Sequence, residues 1–479
     1  MVNSTPAVSP RGRDLVPEQP GTEPILLLSR LRHWRNLVAR ILLGGLVFGL
    51  VGSVWGSPDR VGIRYSVPSR FHPVVLAGSA LPALVGTPTS RIAIYAFRNG
   101  EPKPIPYQFD RRDADGNFQF TDAPADEAKE ASYAFAANDE CVFMAADAGE
   151  KEARLPDDLG AVSVTEIEVV DATAAQSRWA YAVVLAVPSA ARANPTYVSY
   201  DAVNDAVISE VYRVTFSKEQ PFLLTGLSLR DPASDRWGPN LVDTMKVRHT
   251  GKLFGQFDFV RTQGDYRSKL VAVKAGPVRV IRRTANHVRV LGFLRTPSIY
   301  MDYLCYRQGV TYDVLIDVPF RIGWFFSDMT TRMTMDWRDA PDFPESKIYS
   351  RSFADGLTID GKMSEGKRRF NRSGDTEFVM ANAYGMMLVR LDYGPDLPVA
   401  KHVYLYDDRD QPDPPELVPG QFGNVGFLTT GWEHMDTKLH HMELSVTMIP
   451  RLTVPEGLKI VTYVPRRPTN AGAATLPEH

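Results

Sequence analysis

"RIAIYAFRNGEPKPIPYQF", residues 91–109, decides the fold class. Its apolar and polar positions follow a period of two, which belongs to a strand and not to a helix. Asn99-Gly100 interrupts the pattern with the residue pair that most readily turns a tight hairpin. The stretch therefore reads strand, turn, strand. The same alternation returns along the chain. In "RWAYAVVLAVP" (178–188) Trp179, Tyr181, Val183 and Leu185 share one face and alanines lie on the other. "VISEVYRVTFS" (207–217), "GPVRVIRR" (276–283), "HVRVLGF" (287–293), "VTYDVLIDVPF" (310–320) and "TTRMTMDW" (330–337) obey the same rule. Helical periodicity is scarce, its best case being "APADEAKEASYAFA" (123–136). Gly and Pro are scattered as turn punctuation.

The expectation is an all-β, antiparallel chain of two β-sandwich domains, the second a large sandwich. A boundary in "SAARANPTYVSY" (189–200) divides an N-terminal sandwich, 57–192, from a C-terminal one, 193–465. Disordered tails are expected at 1–40 and 466–479. A membrane-spanning β-barrel is set aside: "NAGAATLPEH" (470–479) supplies no closing amphipathic strand, and the turns are irregular.

Composition narrows the partners. With 479 residues and 44% hydrophobic content, large cores form without metal or disulfide staples. Lys+Arg 54 against Asp+Glu 56 leaves the chain near neutral. It lacks long basic runs, which argues against nucleic acid. Arg30, Arg32, Arg35 and Arg40 precede "ILLGGLVFGLVGSVW" (41–55), 15 uncharged residues where a spanning helix needs about 20. This suits an export signal cleaved near Ser57, or an uncleaved anchor; 41–56 is assigned to one or the other. The expected location is periplasmic or secreted, with membrane contact only through that segment if it is retained. Cys141 and Cys305 form no metal or redox motif, and pairing or free burial both remain open.

The overlapping stretch "PIPYQFDRRDADGNFQFTD" (104–122) reads as two strand pieces around a turn, Asp113-Ala114-Asp115-Gly116-Asn117. Calcium is the alternative ligand for these aspartates, although Arg111 and Arg112 compete for the same charge. Its "P-x-P-x-Q-x-D … D-x-D-G" pattern, extending weakly to "NDECVFMAAD" (138–147), resembles a segment of uncharacterised secreted bacterial β-sandwich proteins, some similar to carbohydrate-active sandwich domains. The resemblance implies a fold and a secreted habit, not a reaction.

Chemistry-bearing residues gather on strand faces. In "SDMTTRMTMDWRD" (327–339) Asp328, Thr330, Arg332, Thr334 and Asp336 share a face. Thr311, Asp313 and Asp317 do so upstream, as do Ser298, Tyr300, Asp302 and Tyr306, while Arg279 and Arg283 alternate with apolar neighbours. If these strands adjoin, Arg279, Arg283, Tyr300, Asp302, Tyr306 and Arg332 form a surface for a hydroxyl-rich ligand. The plain alternative is a solvated sheet face. Asp313, Asp328 and Asp336 are candidate catalytic carboxylates. In "GWEHMDTKLHHMELSV" (431–446) His434 is a candidate general base, and Glu433, His434, Asp436, His440 and His441 offer metal-type donors without a metal spacing. "DDRDQPDPPE" (407–416) reads as a solvated acidic loop. A phosphate-binding glycine loop and a G-x-S-x-G elbow are both missing. No cofactor is expected beyond possible calcium. The expected role is binding a glycan or an envelope protein; a carbohydrate-active hydrolase or lyase and a structural surface component are the alternatives.

Overall fold

The computed structural model describes residues 59–65, 71–120, 133–152, 159–171, 176–188, 195–231, 234–291, 294–338, 345–393, 397–414 and 422–449. The 41–56 segment, both expected tails and most of 123–136 lie outside them. At the described end of the last, Ala134 forms an isolated bridge with Pro88 and no helix.

The opening hairpin forms as its residues require. Ile92–Arg98 pairs with Glu101–Pro104, and Asn99 and Gly100 take φ of 55° and 77°. It completes a five-stranded sheet in the order Asp59–Tyr65, Ala161–Asp171, Gln176–Leu185, Ile92–Arg98, Glu101–Pro104. The first pair of that sheet runs parallel; every other pair among the described strands is antiparallel. Both faces of the sheet are buried. Ala180, Ala182 and Val184 point into one cluster, Trp179, Tyr181, Val183 and Leu185 into another.

A three-stranded sheet, Pro73–Ala77, Glu140–Met144 and Tyr107–Asp110, covers the first of those faces. It is two-sided by the same period of two. Val74, Leu76, Cys141 and Phe143 pack toward the five-stranded sheet, whereas Val142 and Met144 join the core of the C-terminal body. Cys141 and Cys305 are both buried and free.

The C-terminal body is built on a nine-stranded path: Tyr266–Ala275, Arg279–Leu291, Ile299–Tyr306, Gly309–Asp317, Leu439–Ile449, Gly385–Tyr393, Glu377–Asn382, Ser346–Ser350, Phe353–Ile359. Leu294–Arg295 pairs beside the second strand. A five-stranded sheet, ordered Phe257–Arg261, Val242–Leu253, Phe326–Trp337, Asn424–Thr430, Ala400–Tyr406, packs on its inner face. Met245, Val247, Trp337 and Phe427 there share one core with Tyr303, Tyr312, Met387 and Val446. A five-stranded meander from Val198–Asp201 to Arg236–Trp237 contributes Tyr212, Val214 and Phe216 to the same core. The 207–217 run, continuous by pattern, breaks into Ala206–Ser209 and Tyr212–Phe216. The Ser209 hydroxyl accepts the N–H groups of Val211 and Tyr212 at 3.0 and 2.9 Å and turns the chain.

The three-stranded sheet is tied to the nine-stranded one by a buried polar knot. Tyr107 and Phe109 face the N-terminal core, so Gln108 and Asp110 face the other way. Gln108 Oε1 accepts the backbone N–H groups of Val278 and Arg279 at 3.3 and 3.1 Å. A Cβ on Gly276 would stand 2.1 Å from that oxygen, so the turn before Arg279 needs glycine. The Arg279 guanidinium, 1% exposed, donates to Asp110 at 2.8 Å, to the Tyr306 hydroxyl at 2.9 Å, and to Glu140. Burial pushes the Asp110 carboxyl up, but Arg279 and Lys274 outweigh it and hold it below the usual range.

This knot sets the first prediction. Arg279→Ala takes the shared guanidinium from buried Asp110 and Glu140, leaving them Lys274 and Arg112 alone, and lowers unfolding stability by about 3 kcal/mol. Asp115→Asn, in the exposed turn nearby, changes it by less than about 0.5 kcal/mol. Urea titration of both variants measures the contrast; equal midpoints would refute the knot's role.

Candidate functional site

Register assembles the site. Arg283 pairs with Asp302, Asp302 with Asp313, Asp313 with Glu443, and Glu443 with Asp392. Directly paired residues project to the same face. Four carboxylates on four neighbouring strands thus form one row on the outer face of the nine-stranded sheet, spanning about 15 Å at the usual strand spacing. The next row holds Ala285, Tyr300, Leu315 and His441. Tyr300 is 43% exposed.

The row is built of ion pairs. The Arg283 fork donates to both Asp302 oxygens at 2.7 and 2.6 Å. His441, diagonal to Asp313, places Nε2 on its carboxylate, and Arg112 reaches the other oxygen at 4.0 Å. Arg112 comes from the 104–122 stretch, held by Glu140 at 2.8 Å and lying 3.7 Å over the Phe118 ring. At the far end Arg390 donates to Asp392 at 2.6 Å, with the Lys401 ammonium at 3.7 Å. Burial pushes the Asp302 carboxyl up, and Arg283 offsets this only in part. Asp392 and His441 are partly open, so acceptors and an imidazole edge meet solvent at one side of the row.

The expected residues divide. Arg279, Arg283, Tyr300, Asp302, Tyr306 and Asp313 do lie on adjoining strands of one sheet. Arg279 and Tyr306 are buried beneath the three-stranded sheet, in the knot, and face no solvent. Arg332, Asp336 and Asp328 belong to the other sheet. That sheet's outer face is covered by the 407–414 segment, where Asp413 accepts from Arg332 at 3.0 Å, from Tyr404 at 2.7 Å, and from Arg248. Asp336 is buried against Lys246 at 3.1 Å. The acidic loop expected to be solvated therefore buries Asp413, and Asp407 as well, which receives the Lys367 ammonium and the N–H groups of Asp360 and Gly361. Asp328 sits at a bulge with φ 54°, which throws it out of phase with Arg332 and Asp336.

His434 is exposed in a short 3-10 turn with Glu433 3.8 Å away, outside the row. His440 turns inward onto the Asp436 carbonyl at 2.9 Å, while His441 turns outward to Asp313. Sequence reasoning passed over Glu443 and Asp392, and read His441 as a metal-type donor where the structure sets it against Asp313. Their signal was the alternation His441–Glu443–Ser445, legible only once the partner strand is known. The Asp113 carboxylate accepts N–H groups of Asp115 and Asn117 at 2.9 and 2.8 Å, and Gly116 takes φ 85°: a self-capped turn. Among the described residues no group of three or more His, Cys, Asp and Glu is arranged to hold a metal ion. A cavity of about 30 Å³ between the sheets, lined by Met245, Tyr312, Met333 and Phe378, is apolar and has room for about one water.

No family model matches the chain, and no curated protein matches it. Among solved structures, an alpha-mannosidase from Enterococcus faecalis V583 aligns at TM-score 0.35 and 10% identity, over 81% of this chain. This chain spans 42% of that protein's length.

One buried acid beside the row gives a pH signature. Glu377 pairs in register with Arg390; burial drives its carboxyl up from 4.5 to about 7, and Arg390 opposes this only partly. The folded chain then holds this proton more tightly than the unfolded chain. Its contribution to stability is present at low pH and is lost as pH rises from about 4.5 to about 7. Glu377→Gln should flatten that segment of the stability curve and raise stability above pH 7. Denaturation at pH 5, 6, 7 and 8 tests it; superimposable curves for the two proteins would contradict the assignment.

Proposed function

We propose that this protein binds an extended, hydroxyl-rich ligand, a glycan, along the open side of the row, at Asp392 and Glu443 with His441 and Tyr300 beside them, Asp302 being the row's buried end. The observation that carries this reading is the direct register of four carboxylates on adjoining strands, flanked by Tyr300 and His441. Carboxylates accept from sugar hydroxyls, and a tyrosine ring offers a flat apolar face with a hydroxyl at its rim. The row crosses the strands, so it suits a ligand lying across the sheet. Assembly through sheet edges has less support: the Tyr266–Ala275 edge strand exposes Arg267 and Lys269, charges that discourage strand addition.

A second reading rests on the His441–Asp313 contact. A carboxylate that orients an imidazole prepares it for proton transfer. In a carbohydrate-active hydrolase or lyase His441 would then exchange the proton, with Asp313 fixing its tautomer.

Glu443→Gln and Tyr300→Ala should each weaken glycan binding by about 1–3 kcal/mol while melting stays unchanged. A glycan array followed by calorimetry measures this. In a reducing-end assay, turnover abolished by Asp313→Asn with binding retained supports the second reading. Wild type that binds no polysaccharide overturns the first.

The compartment is part of the proposal, because the 41–55 run suits an export signal or an anchor. If residues 41–55 act as an export signal, the mature chain begins near Ser57; if they act as an anchor, Met1 is retained in a membrane fraction. N-terminal mass spectrometry after fractionation decides between them. Intact Met1 in a soluble cytoplasmic fraction defeats both.

A further inference from the structure

Where Leu253 pairs with Phe326 and Asp317 with Leu439, the two facing sheets of the C-terminal body end, and aromatic side chains stand out of the surface. The hairpin after Val242–Leu253 carries Phe254 and Phe257, 60% and 61% exposed. The segment between Gly309–Asp317 and Phe326–Trp337 carries Phe320, Trp324 and Phe325, with Trp324 69% exposed. Phe254, Phe320 and Phe325 touch, with Phe257 and Trp324 beside them in the same two segments: Phe254 N–H donates to the Phe325 carbonyl at 2.7 Å, and the Phe254–Phe325 and Phe320–Phe325 ring centroids lie 6.1 and 5.4 Å apart.

Phe254 is costly there in two ways. Its ring is left in water, and its backbone takes φ 52°, a left-handed conformation that Asn, Asp and Gly adopt far more readily than a bulky residue. Neither the core nor the turn asks for phenylalanine, so the demand comes from a partner. The chemistry of the patch says which. Four of its five rings are phenylalanine, without a hydroxyl to recognise a polar ligand, and the fifth is tryptophan, which favours the membrane–water boundary. Charges beside them lean acidic: Lys252, which pairs with Asp258 at 2.8 Å, Arg321 and Lys438 stand among Asp258, Asp317, Asp328, Glu433 and Asp436. That suits a zwitterionic surface and offers no attraction to a polyanion. If the 41–55 apolar run is retained as an anchor, it supplies a second membrane signal beside this tip.

We infer that this aromatic end is a bilayer-contacting tip that seats Phe254, Phe257 and Trp324 at the headgroup–acyl boundary of a zwitterionic membrane. The carboxylate row would then stand clear of the surface, since Asp313 lies four residues, about 13 Å, up the strand from Asp317.

The test uses the full chain with phosphatidylcholine vesicles, with and without brominated acyl chains, so that attachment through 41–55 and contact through the tip are read separately. Brominated lipid should quench part of the tryptophan emission, and that part should vanish in Trp324→Phe. Phe254→Asn with Phe257→Ser should cut the quenchable fraction about tenfold. Phe254→Asn alone should melt no lower than wild type, because asparagine suits the turn. Raising NaCl from 0.1 to 0.5 M should change nothing. The inference is overturned if flotation occurs without Trp324 quenching, or if quenching needs anionic lipid and disappears at high salt. It is equally overturned if the chain self-associates through this end and leaves vesicles alone.

Discussion

The buried Arg279 guanidinium is the centre of the contact that ties the two halves of this fold together. Arg279 leaves the nine-stranded sheet and meets Asp110 and Glu140 from the three-stranded one. Each acceptor arrives from a different strand, so the fork fixes both the distance and the angle between the sheets. Isolated burial of such charges costs several kcal/mol, and only complete pairing recovers it. Here Gln108 completes the pairing by taking the two backbone donors beside Arg279. The placement of Arg112 and Phe118, and with it the covered edge of the carboxylate row, follows from this contact.

The knot also explains where polar side chains are free to act. Both large sheets of the C-terminal body alternate apolar-in and polar-out, yet their outer faces meet different fates. On the sheet of Phe326–Trp337, the 407–414 segment folds over Arg248 and Arg332 and pairs both with Asp413, while Asp336 is buried against Lys246 of the neighbouring strand. On the nine-stranded sheet, the covering element lays Arg112 beside Asp313 and Phe118 and Phe120 over Arg283, while Tyr300, His441 and Asp392 reach solvent. A polar strand face is a site only where nothing lies over it.

The sequence spelled out the local terms of this arrangement. Alternation and Asn99-Gly100 gave the strands and the first hairpin, and the neighbouring segments 279–317 led to adjoining strands with Arg283, Tyr300, Asp302 and Asp313 together. What it concealed was long-range. Arg332 and Arg283 have the same alternation around them and both are covered, Arg332 by the 407–414 segment and Arg283 by Phe118 and Phe120, and alternation alone names neither cover. Asp328 broke phase at a bulge that no residue type announces. His441 finds Asp313 across 128 residues of chain, a pairing fixed by the return of the last strand to the middle of the sheet. Glu443 and Asp392 enter the site by that same return.

The charge state of the row bears on the kind of ligand it can take. Asp302 has Arg283, Asp313 has His441 and Arg112, and Asp392 has Arg390 and Lys401. A cationic ligand would have to displace these fixed partners, and an anionic one would meet the carboxylates themselves. A neutral polyol does neither. It adds hydroxyl donors to the lone pairs that the ion pairs leave over, since each carboxylate has about four acceptor positions and its basic partners fill one or two. Near-neutral local charge therefore favours a neutral glycan over a uronic acid polymer or a basic peptide, and it makes binding only weakly dependent on salt.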